Sequence, residues 1–182
     1  MIKVAIGVAV GEFVRTQTVG TLVSLFKAHP TMGFILESSV LIHDNRNKIV
    51  EKALEGDYTH LFFVDSDMVF KPDVLDKLVA ADKDIIGAMY NRRCGKLNET
   101  VVDTRYDNGL PNKPFRNFNA GTGCLLIKMD VFKRVPKPWF FFGTEQNPKG
   151  EDIYFTEKAR GLGVEVWIYP GLDIKHTGEW NY

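Results

Sequence analysis

Short runs of apolar residues alternate along the chain with segments whose apolar residues recur every three or four positions. The runs predict buried strands, and the recurring spacing predicts amphipathic helices that cover them. The predicted strands are residues 3–10, 33–37, 60–64, 84–90, 118–129 and 164–169. The predicted helices are residues 18–28, 45–55, 72–81, 130–134 and 150–161. This alternation is typical of a layered α/β fold, and the length predicts one domain over residues 1–182.

Two segments lack this alternation. Residues 91–118 are polar, and Asp107, Asn108 and Gly109 form a turn signal, so we predict a loop or a small hairpin there. The segment 172–182 predicts a polar tail with few apolar contacts, and it carries His176.

Composition and charge narrow the class of protein. The chain of 182 residues is 45% hydrophobic and 25% charged, as ordinary globular domains are. Lys plus Arg and Asp plus Glu each number 23, which disfavours a nucleic-acid partner. Cys94 and Cys124 are too few for a disulfide scaffold, which favours a reducing compartment. The apolar start, residues 2–10, is shorter than a membrane span, so we predict a cytoplasmic protein.

The most informative feature is the segment 61–67, an apolar run of Leu, Phe, Phe and Val that stops at Asp65, Ser66 and Asp67. A short run of large apolar residues predicts a strand covered on both faces. Residues two apart in extended chain point the same way, so the two carboxylates can face one site. Because like charges repel, a divalent cation such as Mg²⁺ or Mn²⁺ would stabilise the pair. The alternative is a solvated acidic loop.

A second pair of carboxylates, Glu151 and Asp152, opens a predicted helix. Acids in the first turn of a helix are expected as caps, and capping alone explains them. The segment 138–143 before them is densely aromatic, which is typical of a sugar-binding pocket or of a core. His176 is an exposed or structural histidine, or it completes a carboxylate metal site.

Two basic segments are candidates for binding phosphate. Asn45, Arg46 and Asn47 open a predicted helix, where backbone N–H groups and an arginine can meet a phosphate or a base edge. The alternative is N-capping by Asp44 or Asn45. Arg92, with the arginine that follows it, comes after a predicted strand, and it either faces phosphates or is an exposed basic residue.

The segments together form an ordered series of motifs over about residues 43–178. The motifs are Asp44-Asn45-Arg46-Asn47, then residues 61–70, 84–90 and 121–127, then Gly150-Glu151-Asp152, and last His176-Thr177-Gly178. This series resembles GT-A fold glycosyltransferases, especially the small family 2-like, nucleotide-sugar-dependent enzymes of bacteria and phages. The resemblance implies a Rossmann-like GT-A domain, an α/β/α sandwich with a mostly parallel central sheet. It also implies a hexosyltransferase-like activity, with a UDP-sugar favoured as donor.

The resemblance also implies roles for individual residues. A divalent metal, Mn²⁺ or Mg²⁺, would be held between Asp67, His176 and the donor diphosphate, with Asp65 near the ribose or the metal. Asp152 would be the catalytic base of an inverting transfer to an acceptor hydroxyl, with Glu151 in support. The expected donor-binding residues are Val8, Ala9, Val10, Gly11, Arg46, Asp65, Ser66, Asp67, Arg92 and Gly121.

Two other functions remain open. A sugar-nucleotide nucleotidyltransferase would carry a glycine-rich, arginine-containing loop after the first strand, and residues 9–15 match that pattern poorly. A non-catalytic nucleotide- or carbohydrate-binding module would not need all of Asp65, Asp67, Asp152 and His176. The sequence does not identify the sugar, the acceptor or the oligomeric state.

Overall fold

The structure is a computed structural model, and it describes residues 1–90 and 111–177. Its strands are β1 (Val4–Val10), β2 (Gly33–Ser38), β3 (His60–Val64), β4 (Met68–Phe70), β5 (Ile85–Ala88), β6 (Phe115–Asn117), β7 (Cys124–Lys128), β8 (Val166–Tyr169) and β9 (Ile174–His176). Its helices are α1 (Thr16–Ala28), α2 (Ile42–Glu55), α3 (Asp73–Ala80), α4 (Met129–Arg134) and α5 (Glu151–Gly161).

Within the described ranges, a central sheet of seven strands has the order β2-β1-β3-β7-β5-β8-β6. Strand β1 is parallel to β2 and β3, and β5 is parallel to β8. Strand β7 is antiparallel to both β3 and β5, and β6 is antiparallel to β8. Five strands therefore run one way and two run the other, which confirms the predicted mostly parallel sheet.

Both faces of this sheet are covered, as the apolar run in β3 predicts. Leu61 and Phe63 pack in the core beneath α2, α4 and α5, and Phe62 and Val64 pack in the core beneath α1 and α3. All four side chains are fully buried. Alternate residues of a strand point to opposite faces, so a continuous apolar run fits a strand between two helical layers. The α/β/α architecture is confirmed.

The register brings the site residues to one edge of the sheet. Val64, the last residue of β3, pairs with Cys124, the first residue of the antiparallel β7. The Asp65 N–H continues this pairing and donates to the Gly123 carbonyl at 3.1 Å. The end of β3 and the start of β7 are therefore neighbours, with the end of β5 on the far side of β7.

Several predicted boundaries are wrong. The strand predicted over 118–129 is confined to Cys124–Lys128, and β6 forms within the predicted loop, at the sheet edge. Helix α2 begins at Ile42, three residues before the predicted start. The prediction missed this start because no side-chain cap marks it in the sequence. Asp44 and Asn45 therefore lie inside the helix and do not cap it.

The predicted polar tail is also partly wrong. Ile174–His176 form β9, which pairs antiparallel with β4 in a small second sheet, Met68 opposite His176. Ile174 is buried in the core beneath α1 and α3, so apolar contact fixes this segment. The predicted turn at 107–109 lies outside the described residues. No helix in the described ranges is both long and apolar enough to cross a membrane.

Candidate functional site

The turn after β3 places Asp65 and Asp67 in different surroundings. The side chain of Asp65 is one quarter exposed, whereas that of Asp67 is 5% exposed. The turn is held from several sides: the Met68 N–H donates to the Asp65 carbonyl at 3.3 Å, and the Ser66 carbonyl accepts from the Arg15 N–H at 2.8 Å. The two carboxylates are therefore fixed by backbone contacts and do not form a symmetric pair.

Asp65 is engaged by a buried arginine. Arg46, in the second turn of α2, is 3% exposed, and its Nη2 donates to Asp65 Oδ1 at 2.8 Å. The Arg46 Nη1 donates to Glu151 Oε1 at the start of α5. The guanidinium thus bridges two carboxylates that are 86 positions apart in the sequence.

Asp67 lies beside His176. The His176 Nε2 is 4.0 Å from Asp67 Oδ1, and both side chains are nearly buried. The Asp67 carbonyl accepts from the Thr177 N–H at 2.8 Å and from the Thr177 hydroxyl at 3.0 Å, which ties the end of β9 to this turn. The Tyr90 ring meets the His176 ring edge to face at 4.9 Å between centroids. The sheet edge therefore fixes the position of the histidine.

A cavity of about 400 Å³ opens at the end of β1, next to Asp67. It is lined by the loop after β1, by the turn after β3, by α2 and by the end of β9, through Gly11, Glu12, Phe13, Arg15, Ile42, Ser66, Asp67 and Thr177. Its position outside the carboxyl ends of parallel strands is the usual ligand position in open α/β sheets.

Asp152 lies in the first turn of α5, and the Ile153 N–H donates to its Oδ1 at 2.7 Å. Burial raises the pKa of Asp152 above its ordinary value, while the Ile153 amide and the Arg46 charge lower it and Asp65 raises it. A largely buried carboxylate with a raised pKa is a candidate general base. The helix-start position predicted for Glu151 and Asp152 is confirmed.

The aromatic cluster before α5 divides into core and surface. Trp139 and Phe140 are buried, whereas Phe141 and Phe142 are 47% and 44% exposed. The His43 ring contacts both exposed rings, with centroids at 5.6 and 4.9 Å. One half of the cluster is therefore core, and the other half is exposed beside α5, where the Phe141 ring contacts Tyr154.

The structure brings some predicted residues to the cavity and keeps others apart. Gly11, Ser66 and Asp67 line it, whereas Val8, Ala9 and Val10 are buried inside β1. Gly121 is buried in the loop before β7. Arg92 and Gly178 lie outside the described residues.

Arg46 does not stand at a helix start with free N–H groups nearby, because α2 begins four residues earlier. Its terminal nitrogens face protein carboxylates. The predicted helix-terminus anion site at residues 45–47 is therefore wrong.

Sequence reasoning did not single out Arg15, Thr177 or Tyr90 as parts of this site. Arg15 and Thr177 line the cavity, and the Tyr90 hydroxyl accepts from the Gly123 N–H at 2.9 Å. A Cβ at Gly123 would lie 2.6 Å from that hydroxyl, so any larger residue there would have to displace Tyr90. Thr177, Gly123 and Tyr90 stand inside the motifs quoted for the resemblance, and this was the signal available. Arg15 ends the segment 9–15 after the first strand, which matched an arginine-containing nucleotide-binding loop only poorly.

Of the three predicted metal ligands, Asp67 and His176 lie beside each other, whereas Asp65 is engaged by Arg46. In residues 1–90 and 111–177, no group of three or more His, Cys, Asp or Glu side chains is arranged to hold a metal. Asp67 Oδ1 and His176 Nε2 lie 4.0 Å apart, which brings one oxygen and one nitrogen of types that bind divalent metals to the same place. Asp65 instead binds Arg46.

No family model and no curated protein sequence matches the chain. Solved structures match it by fold. Protein A197 from STIV has a TM-score of 0.68 at 17% identity, over 98% of this chain and 86% of the STIV protein. GalNAc-T7, solved with UDP, GalNAc and Mn²⁺, has a TM-score of 0.55 at 11% identity, over 92% of this chain and 42% of its own.

A 1–349 fragment of TarS from S. aureus has a TM-score of 0.52 at 14% identity, over 92% of this chain and 58% of the fragment. The chain has a GT-A fold. It matches less than two thirds of GalNAc-T7 and of the TarS fragment.

Proposed function

We propose that this chain is a glycosyltransferase that moves a sugar from a nucleotide diphosphate sugar to an acceptor hydroxyl with inversion, with a UDP-sugar favoured. The observation that carries the proposal is the cavity at the end of β1, which shares Asp67 with the buried Asp67–His176 pair. The GT-A fold supports it, and GalNAc-T7, which shares that fold, is solved with UDP, GalNAc and Mn²⁺.

The donor would lie in this cavity. Its volume of about 400 Å³ is in the range of small-molecule sites. Arg15 supplies a positive charge for the diphosphate, and the Arg15 guanidinium lies 5.2 Å from the centre of the half-exposed Phe13 ring. Phe13 offers an apolar face for a base or a sugar at the cavity rim.

Asp67 and His176 would hold the divalent cation. When bound, that ion would stabilise the negative charge on the leaving diphosphate. The imidazole nitrogen favours Mn²⁺ over Mg²⁺, because hard Mg²⁺ prefers oxygen ligands. Tyr90 orients the histidine through the edge-to-face ring contact.

Asp152 would take the proton of the acceptor hydroxyl, and Glu151 would support it from the same helix turn. The positive charge of Arg46 lowers the pKa of Asp152, and so it offsets part of the rise that burial causes. The exposed faces of Phe141 and Phe142 would meet the apolar C–H surface of a carbohydrate acceptor near the start of α5.

The first test is a thermal-shift screen of nucleotide sugars with Mn²⁺, with Mg²⁺ and with a chelator. A donor at one hundred times its Kd stabilises the folded state by about 2.7 kcal/mol. For a domain of this size that raises Tm by about 5–10 °C. We expect the shift to require the metal and to vanish in Asp67→Ala, with Asp130→Ala as the surface control. Metal-independent binding of every donor tested would contradict the metal role.

A product assay then separates the alternatives. A glycosyltransferase releases the nucleoside diphosphate, and a nucleotidyltransferase releases pyrophosphate. A binding module shows a shift in Tm with neither product. Pyrophosphate release, or binding without turnover across a panel of acceptors, would overturn the proposed function.

A further inference from the structure

Three consecutive residues of α2 tie this helix to different neighbours. Asn45 donates to the Val10 carbonyl at 2.9 Å, at the end of β1. Asn47 accepts from the Trp139 and Phe140 N–H groups, each at 3.1 Å. Between them, Arg46 donates to Asp65 after β3 and to Glu151 at the start of α5. Successive helix residues point about 100° apart, so one turn contacts all of these segments.

Arg46 is the member of this group that links the two sides of the proposed transfer site. Asp65 precedes the turn that contributes Ser66 and Asp67 to the donor cavity. Glu151 precedes Asp152, the proposed base, on the first turn of α5. The Arg46 side chain is 4% exposed, so water does not screen these contacts.

We propose that Arg46 is a positioning residue that joins the turn after β3 to the start of α5 and so fixes the donor side and the acceptor side of the site at one separation. This inference rests on the proposed function for its catalytic consequence. The positioning role replaces the phosphate-binding role that the sequence predicted for Arg46, because both of its terminal nitrogens face protein carboxylates.

The residue type fits this role. A guanidinium is planar, and its two terminal nitrogens donate in different directions, so one side chain holds two carboxylates in fixed geometry. A lysine ammonium carries the same charge as a single point and does not reproduce the fork. Arg46→Lys therefore keeps the buried charge and removes the geometry.

The first experiment measures amide hydrogen exchange by mass spectrometry, without substrate, in four proteins. These are the wild type, Arg46→Lys, Glu151→Gln and Arg134→Lys. Arg134 is the matched control, because it bridges Asp84 and Asp130 on the surface at 2.9 and 3.3 Å. We expect Arg46→Lys to speed exchange in residues 65–68 and 151–158, Glu151→Gln to speed it in 151–158 alone, and Arg134→Lys to change neither.

Exchange that stays at the wild-type rate in both segments of Arg46→Lys would overturn the proposal. Exchange that rises equally throughout β1 and β3 would also overturn it, because that pattern reports lower global stability. If Arg46→Lys does not fold, Glu151→Gln decides the α5 contact alone, since the substitution removes one carboxylate and preserves its shape.

The kinetic test uses the same variants in the transfer assay. A misplacement of about 1 Å costs about 10²-fold in rate, so we expect kcat of Arg46→Lys to fall by about that factor. Because Arg46 acts on α5 through Glu151, kcat of the double variant Arg46→Lys/Glu151→Gln, added to this assay, should be no lower than that of Arg46→Lys alone. If the two single losses in kcat multiply in the double variant, Arg46 does not act on α5 through Glu151. If the wild type transfers no sugar, the proposed function fails, and the exchange data still decide the link.

Discussion

Asn47→Ala tests whether α2 holds the aromatic segment that faces the acceptor side. The Asn47 Oδ1 accepts from two backbone N–H groups at 3.1 Å, and its Nδ2 donates to the Phe140 and His43 carbonyls at 2.7 and 3.0 Å. Each hydrogen bond contributes about 0.5–1.5 kcal/mol, and an unpaired buried amide costs about 1–3 kcal/mol. We expect Asn47→Ala to lower the free energy of unfolding by about 2–4 kcal/mol.

The assay is equilibrium unfolding in urea, with Lys48→Ala as the control. Lys48 is the exposed neighbour on the same helix, and its loss should change stability by less than about 0.5 kcal/mol. Tm of Asn47→Ala should fall by about 5–15 °C. Because Phe141 follows the held segment, the acceptor KM should rise in the same variant. Equal stability of the two variants would refute the hydrogen-bond argument.

The remaining predictions concern the site itself. Asp67→Ala should abolish the metal dependence of donor binding in calorimetry, and His176→Ala should remove the preference for Mn²⁺ over Mg²⁺; a preference that survives would show that nitrogen is not a ligand. Asp152→Asn should reduce transfer by about 10²–10⁴-fold with donor affinity nearly unchanged, whereas wild-type turnover would leave Asp152 as a helix cap only. Burial raises the pKa of Asp152, and a general base must be deprotonated to work. As the pH is lowered, kcat/KM should therefore begin to fall at a higher pH than it would with an aspartate of ordinary pKa. Gly123→Ala should lower Tm, because its Cβ would displace the Tyr90 hydroxyl.

Much of the fold was predictable because local patterns decide it. The run 61–64 could only be buried on both faces, and β3 is. Strand β9 was not predictable in this way. It has three residues, and its pairing partner β4 is more than one hundred positions away, so no local periodicity marks either strand. The start of α2 was missed because Leu41 makes no side-chain cap.

In the site too, local sequence patterns predict some features, and others depend on how distant elements pack. Asp65 and Asp67 follow β3, and Glu151 and Asp152 are the first two residues of α5. Periodicity reveals both elements, so the positions of these carboxylates could be predicted. The partners of Arg46 could not be, because a sequence does not state which carboxylates a buried cation meets across the core. The placement of Arg46 between Asp65 and Glu151 depends on how α2, β3 and α5 pack.

The hydrogen bond from the Gly123 N–H to the Tyr90 hydroxyl has a consequence for how this domain can vary. Tyr90 follows β5 and Gly123 precedes β7, so this bond joins the two ends of the segment that connects these strands. The Gly123 carbonyl also accepts from the Asp65 N–H, which places the joined ends beside Asp65. Strand β6 lies between the two anchors, Tyr90 and Gly123, and pairs with β8, so it must stay for the sheet to keep its order. A length of chain exchanged before β6 would leave both anchors and the strand register unchanged, which makes that stretch the natural place to graft a new acceptor preference beside the proposed site.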